Sequence, residues 1–369
     1  MKRDFLVIPI FIPHLGCPHK CVFCNQKKIT GKTTRVTPED IRKTINFFLP
    51  FKKGKKVVEV AFFGGTFTGL PLSIQENFLK VVQPYIERGD INYIRLSTRP
   101  DYIDRDVLLF LKKYRVRVIE LGVQSLVDDV LLLSQRGHTK DDVDNASKLI
   151  REYGFLLGHQ IMPGLPGDNE ETIMETVKRS IKMRPNMVRI YPTLVLEDTE
   201  LFNMYKQGKY RPLSLEETVR LVALSYLYYT ANEVDVIRIG LQTTDEINER
   251  YVVAGPYHPN IGALVRAQIF LWMTLYLLRN VKDNLYHVIL FINEKDIPYF
   301  IGHKRRNLEI IKVLFPDFSK RVDKSLLEGE IVLAIDNKKY KISLVEFSKK
   351  VYKNIINLNE ITGVIYEHI

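Results

Sequence analysis

Cysteine is scarce in this chain: three in 369 residues, all between positions 17 and 24. An odd count leaves a thiol over from any disulfide framework. The opening "MKRDFLVIPIFIP" is interrupted by Pro9 and Pro13 and is followed by no small-residue cleavage site. The expectation is a reducing, cytoplasmic setting, where clustered cysteines serve metal binding or catalysis. Long apolar runs are also missing. No stretch of about 18 uncharged apolar residues occurs, so no membrane span is expected. The most apolar segment, "IGALVRAQIFLWMTLYLLRN", is broken by Arg266 and reads as a buried helix. Low-complexity tracts and short internal repeats are absent, which removes repeat arrays from consideration.

What is present is a globular composition. Hydrophobic residues make up 46% of the chain, enough for a substantial core in one large domain plus a smaller appendage. The formal net charge is +11. Residues 1–60 hold 13 Lys+Arg against 4 Asp+Glu, so most of the excess lies around the cysteines. It falls at Lys20, Lys27, Lys28, Lys32, Arg35, Arg42 and Lys43 and in the run "FKKGKK". A basic face of this kind suits a polyanion such as tRNA or another RNA; a merely solvated lysine-rich surface has the same composition.

Along the first two thirds, strand and helix patterns alternate. "FLVIPIFI", "VVEVAFFGG", "INYIRLSTRP", "VRVIELGVQS", "LLGHQIMPGLPG" and "NMVRIYPTLV" read as six strands. Helical patterns separate them, the first with Thr37 as N-cap and Pro38 at its first position. Six such units predict an α/β fold: a parallel sheet, apolar on both faces, with right-handed crossovers. Polar and glycine-rich signals recur at the strands' C-terminal ends, which favours a partial (β/α)6 TIM-like barrel over a flat sheet. We expect the barrel over residues 1–240, a helical connector over 241–280 and a small C-terminal α+β domain over 281–369.

The cysteine loop "GCPHKCVFCNQ" has the spacing C-x3-C-x2-C. A structural zinc site closes with four ligands, and His14 or His19 could supply the fourth, so zinc stays open. Iron–sulfur clusters take thiolates at short spacings, and three thiolates on a four-iron cluster leave one iron free for a small molecule. Elsewhere, Gly64 and Gly65 end a strand where backbone can approach a ligand closely. Arg136, in "SQRGHT", could fork onto a carboxylate or form a helix-surface ion pair. His138 and His159 remain unassigned.

The cysteine spacing with Phe23 resembles the radical S-adenosylmethionine (SAM) superfamily. The ordered series "IPIFIPHLGCPHKCVFCNQ", "AFFGGTFTG", "RLSTRPDYI", "IELGVQS", "RGHT", "MPGLPGD" and "IYPTLVLEDTELFNMYKQGKY" resembles, over residues 5–242, the radical-SAM part of the Elongator catalytic subunit family, which modifies tRNA. A more distant likeness, through "GVQS" and "GLPG", is to coproporphyrinogen dehydrogenase, and it leaves open a haem- or cluster-binding carrier. The Elongator resemblance implies a 4Fe-4S cluster on Cys17, Cys21 and Cys24, with SAM on its open iron. It places Phe23 beside the adenine and puts Gly64, Gly65 and Thr66 at the methionine amino group. Ser97, Gln124, Arg136, Gln160 and Met162 would complete the SAM site, with Tyr191 and Lys206 near substrate. It also implies one-electron cleavage of SAM to a 5′-deoxyadenosyl radical, fed by flavodoxin or ferredoxin.

There are departures from the family. No cysteine lies outside 17–24, which disfavours sulfur-inserting relatives with a second cluster. An acetyl-CoA loop of the kind Arg/Gln-x-x-Gly-x-Gly/Ala is not found: after Val281 the glycines are Gly302, Gly329 and Gly363, too far apart to hold a pyrophosphate. The segment is also short for such a domain, which takes on the order of 150 residues. "GHKRRN" offers a cationic cluster there instead. Isothermal titration with acetyl-CoA is therefore expected to show no micromolar binding; micromolar binding, or SAM cleavage accelerated by acetyl-CoA, would reverse this expectation.

Overall fold

The structure, a computed structural model, describes residues 4–12, 17, 19–24, 36–241, 251–279, 287–335 and 338–361. His14, Lys27, Lys28, Lys32 and Arg35 lie outside the described residues.

Seven strands form one parallel sheet: β1 (Phe5–Ile12), β2 (Val57–Gly64), β3 (Tyr93–Thr98), β4 (Val116–Gln124), β5 (Leu156–Ile161), β6 (Met187–Ile190) and β8 (Asp235–Ile239). They pair in the order β1-β2-β3-β4-β5-β6-β8 and curl into a partial barrel with β1 and β8 at its edges. Between them run α1 (Pro38–Phe48), α2 (Leu72–Glu87), α3 (Arg105–Lys113), α4 (Asp128–Leu133), α5 (Lys140–Glu152) and α6 (Glu170–Lys182). Their starts follow capping chemistry: Thr37 with Asp40, Thr139 with Asp142 and Asn169 with Thr172 each form a reciprocal box. A two-stranded antiparallel ribbon of β7 (Val195–Leu196) and β9 (Val252–Ala254) and the helix α7 (Glu200–Lys206) complete the first unit.

Alternation along the strands separates two faces. His159 bonds to Ser147 on α5 at 3.0 Å and to Ser180 on α6 at 2.9 Å, so its face looks outward to the helices. Val60, Phe62, Leu96, Ile119, Leu121, Leu157 and Val188 share that outer, buried layer. The inner face differs from the apolar surface expected. It carries Glu59, Arg95, Glu120, Gln160 and Arg189 on five successive strands. Arg95 spans Glu59 (2.7 Å) and Glu120 (2.6 Å), and Arg189 reaches Glu120 at 2.6 Å. Gln160 Nε2 donates to Glu120 Oε2 at 2.9 Å and to Ser97 Oγ at 3.1 Å. Burial alone would push Glu120 up; the Arg189 and Arg95 guanidiniums outweigh it and hold the carboxyl below the usual carboxylate range. The apolar flanking residues obscure these charges in sequence, yet their spacing of two is the signature of one face.

Contacts divide the chain into two compact units, Met1–Ser214 with Asp235–Pro259, and Leu215–Val234 with Asn260–Ile369. The second unit contains α8 (Leu215–Ala231), α9 (Ile261–Leu278), α10 (Ile297–Ile301), α11 (Arg306–Leu314) and α12 (Leu344–Tyr352). Its mixed sheet has the order β11-β10-β12-β13, from β10 (Val288–Ile292), β11 (Phe318–Val322), β12 (Glu330–Ile335) and β13 (Lys338–Ser343). Among the described residues α9 alone is long and apolar enough to cross a membrane by length and composition. Thirteen of its eighteen residues are buried within the fold, including Trp272 and Phe270.

Glu120 is the shared counter-charge of two buried guanidiniums. Removing one member of such a set leaves uncompensated charge, at a cost of about 3–5 kcal/mol. Glu120→Ala should therefore lose stability on that scale in chemical denaturation, whereas the exposed control Glu152→Ala should stay within about 0.5 kcal/mol of the parent.

Candidate active site at the C-terminal mouth of the barrel

Parallel strands all point their C-terminal ends to one rim, where connecting loops gather. The cysteine loop follows β1 at that rim. Cys24 N–H donates to the Cys21 carbonyl at 3.0 Å, closing a tight turn. Val22, at its centre, is held from two sides: it donates to the Ser134 carbonyl at 3.1 Å and accepts from Leu201 N–H of α7 at 2.8 Å. Its side chain packs with Val195, Leu201 and Tyr210, and Phe23 lies against the same cluster. None of the three cysteines is in a disulfide; Cys21 is buried, Cys17 and Cys24 partly so.

Two loops supply cations beside the thiols. Arg136, after α4, is buried; its Nη1 stands 3.6 Å from Cys21 Sγ and its Nη2 donates to the Gly122 carbonyl at 2.8 Å. Burial lowers its pKa, opposed by Cys21. Arg99, after β3, forks onto Asp101 at 2.9 and 3.0 Å. His19 lies 3.7 Å from Asp101, and its ring rests on the bare backbone of Gly137, where an added Cβ would stand 2.2 Å from Nδ1. His138 Nε2 is 3.2 Å from the Val123 carbonyl, and burial first, then the Arg136 and Arg99 charges, push its pKa down to about 2. It is a neutral imidazole at physiological pH.

Gln124 ends β4 with φ of 66°, a left-handed conformation for a residue with a Cβ. Such strain costs about 1–3 kcal/mol and concentrates at functional positions. The bulge between Gly122 and Gln124 produces it, and Met162 N–H fixes it by donating to the Gln124 carbonyl at 2.8 Å. Several buried polar atoms here have no partner among the described residues: Gln124 Oε1, Arg136 Nε, Arg99 Nη1, His138 Nδ1 and Thr193 Oγ1. Buried polar groups are almost always bonded, so this set offers hydrogen-bonding capacity that the described residues do not use.

The other expected residues distribute as follows. Gly64, with φ of 100°, and Gly65 end β2, and Gly65 N–H donates to the Ile12 carbonyl at 3.0 Å. Thr66 is buried beside them. Ser97 and Gln160 are bonded to each other on the inner face below the mouth. In "GLPGD", Asp168 Oδ2 accepts from Gly164 N–H at 3.0 Å and Leu165 N–H at 3.2 Å, which shapes that turn. Tyr191 follows β6 and stands beside the Arg189 guanidinium. Lys206 stands apart from the rest at the exposed end of α7, its Nζ 4.5 Å over the Phe202 ring. Arg95, Arg99, Glu120 and Arg189 escape a motif-based reading; the period of two along β3, β4 and β6 is the signal that carries them. The basic run behaves differently from expectation. Lys52, Lys53, Lys55 and Lys56 precede the first residue of β2 and therefore sit at the rim opposite the cysteine loop. Two of them are paired, Lys52 with Asp90 at 2.6 Å and Lys56 with Asp4 at 3.2 Å.

Among the described residues no three His, Cys, Asp or Glu side chains gather closely enough for a single ion, and His19 is directed to Asp101. Thiolates of a cubane cluster each take a different iron, so they stand farther apart than ligands of one ion. Three cysteines in no disulfide, with the buried Arg136 guanidinium beside Cys21, fit such an anionic cluster.

Comparison with known proteins agrees. A Radical SAM superfamily model matches residues 11–179, and a Radical SAM C-terminal domain model matches residues 185–270. The tRNA uridine(34) acetyltransferase of Methanocaldococcus jannaschii is 28% identical over 59% of this chain and 48% of its own length. Elongator complex protein 3 of Saccharomyces cerevisiae is 32% identical over 45% of this chain and 33% of its own. The solved structure of Methanocaldococcus infernus Elp3 superposes with a TM-score of 0.59 at 26% identity, covering 72% of this chain and 62% of that one. The chain thus spans about half the length of the acetyltransferase relatives it matches.

Gly122 is a tight point of the site. An added Cβ would stand 2.8 Å from Arg136 Nη2 and 3.1 Å from Gln124 Nε2. Gly122→Ala should cost about 1–3 kcal/mol of stability through overpacking. It should also displace Arg136 from Cys21, read as a changed alkylation rate of that thiol in peptide mass spectrometry; an unchanged rate and stability would contradict this geometry.

Proposed function

Because the chain belongs to the radical SAM superfamily, we propose that it is an Elongator-like enzyme holding a 4Fe-4S cluster on Cys17, Cys21 and Cys24, and that it cleaves SAM reductively to modify tRNA. The observation that supports this reading is the set of buried polar atoms of Gln124, Arg136 and Arg99 that have no partner among the described residues, with Arg136 standing against Cys21 at the rim that carries the three cysteines. When bound, the cluster and SAM supply a one-electron cleavage of the sulfur–C5′ bond and a 5′-deoxyadenosyl radical.

The protein's part is to bind, orient and exclude water. Arg136 turns a guanidinium edge toward the methionine carboxylate, and the Gly64–Gly65–Thr66 turn offers backbone to the amino group. Gln124, Ser97 and Gln160 meet ribose and adenine with amide and hydroxyl groups. Their orientation is set from below, since Glu120 holds the Gln160 amide nitrogen and so turns its oxygen away. The Met162 backbone and Phe23 would bound the adenine. Tyr191 and Lys206 belong to the substrate side, and flavodoxin or ferredoxin would deliver the electron. The substrate class follows from relatives named for tRNA uridine(34) and Elongator chemistry.

Anaerobic reconstitution with iron and sulfide should yield a brown protein with four-iron absorption, and dithionite plus SAM should yield 5′-deoxyadenosine. Cys21→Ala should lose the cluster absorption while keeping the far-UV spectrum of the barrel. Loaded protein that neither binds nor cleaves SAM would overturn the reading. Nucleoside mass spectrometry of cells lacking the protein tests the tRNA assignment.

A further inference from the structure

Among the described residues, the inner face of the barrel carries more positive charge than it neutralises. Glu59 and Glu120 both serve Arg95, and Glu120 also serves Arg189. A third arginine, Arg238, stands on β8 directly beside Arg189, the two being register partners across adjacent parallel strands. Like charges directly opposite destabilise a sheet unless something lies between them. Arg238 has no carboxylate partner among the described residues; its Nε donates only to the Gly240 carbonyl, at 3.0 Å. That bond draws the side chain along β8 toward the strand's C-terminal end, which is the mouth. Tyr191 lies beside both guanidiniums. Its pKa is raised, chiefly by burial, so it stays neutral and does not balance the charge.

We propose that Arg238, with the Tyr191 hydroxyl and the Arg189 guanidinium beside it, is an oxyanion subsite that takes a carboxylate or phosphate of the molecule acted on in the barrel. A guanidinium edge matches such groups with two parallel hydrogen bonds. Arg238, half-buried and with no counter-ion among the described residues, binds an anion more strongly than a solvated cation does, because part of its desolvation is already complete before the ligand arrives. The subsite rests on the reading of the mouth as a reaction chamber. It lies on the β6–β8 side, whereas the cysteines and Arg136 cluster near the ends of β1 and β4, so one chamber holds two separate anion positions.

Phenylglyoxal, which adds to free guanidiniums, tests this on the full-length protein, with adducts located by peptide mass spectrometry. In chloride Arg238 should be modified, while Arg95 and Arg189 should stay silent. Inorganic phosphate or acetate at equal ionic strength should slow modification of Arg238 several-fold, with exposed Arg105 unaffected. Protection by an RNA hairpin at far lower concentration than phosphate would identify a nucleic-acid phosphate as the source; protection by the small anions alone would identify a small acid. Arg238→Gln should lose the thermal stabilisation that phosphate confers on the parent, and Arg238→Lys should keep part of it. Equal modification in every anion, or no modification at all, would overturn the proposal. SAM cleavage by the parent is scored separately. Protection without cleavage removes the reaction and leaves the subsite; cleavage without protection removes the subsite alone.

Discussion

The two carboxylate oxygens of Glu120 receive Arg95, Arg189 and Gln160 at distances between 2.6 and 3.1 Å, inside a barrel where its side chain is 1% exposed. A buried charge is tolerated only when its partners are complete. Completion here requires β3, β4, β5 and β6 to hold one register, since each contributes a group to the same carboxylate. The network therefore sets the relative heights of the strand ends above it. Those ends carry Ser97, Gln124, Met162 and Tyr191. A ring of charge in the middle of the barrel thus becomes the alignment of the polar groups at its mouth.

The mouth is arranged differently, by backbone. The cysteine loop is held through the two peptide groups of Val22 and an apolar cluster beneath it. Gln124 is held in a left-handed conformation by a bulge and by the Met162 N–H. Gly122 leaves room for the Arg136 guanidinium to reach its carbonyl and the Cys21 sulfur together. Rigid backbone below and unpartnered side-chain atoms above make a site organised before any ligand enters, which lowers the ordering cost of binding.

The outer layer and the inner layer of the sheet follow different rules. Outside, Val, Ile and Leu pack on amphipathic helices, and even His159 is absorbed by two serine hydroxyls, with burial pushing its pKa down to about 3. Inside, polar residues bond to one another across strands. This division explains why two histidines of similar appearance in sequence, His138 and His159, are both neutral yet only one stands beside the cysteine loop.

Much of this was legible in the order of residues. The strand–helix alternation, Thr37 and Pro38 at a helix start, and the C-x3-C-x2-C loop are local patterns, and local patterns survive reading one residue after another. The glycines of β2 and the Gln at the end of β4 were legible for the same reason. The inner charge network was not, because Glu59, Arg95, Glu120 and Arg189 are separated by whole strand–helix units and each sits among apolar neighbours. Nor was the position of the lysine run, which is near the cysteines in sequence and at the opposite rim in space, since α1 lies between them and the run immediately precedes β2. The thiol cluster and the strand periodicity were decided by sequence, because the spacing of neighbours along a chain is fixed by covalent geometry. Which arginines share a carboxylate, and which has none among the described residues, was decided only by the tertiary structure, because charge neutralisation depends on distances that folding alone sets.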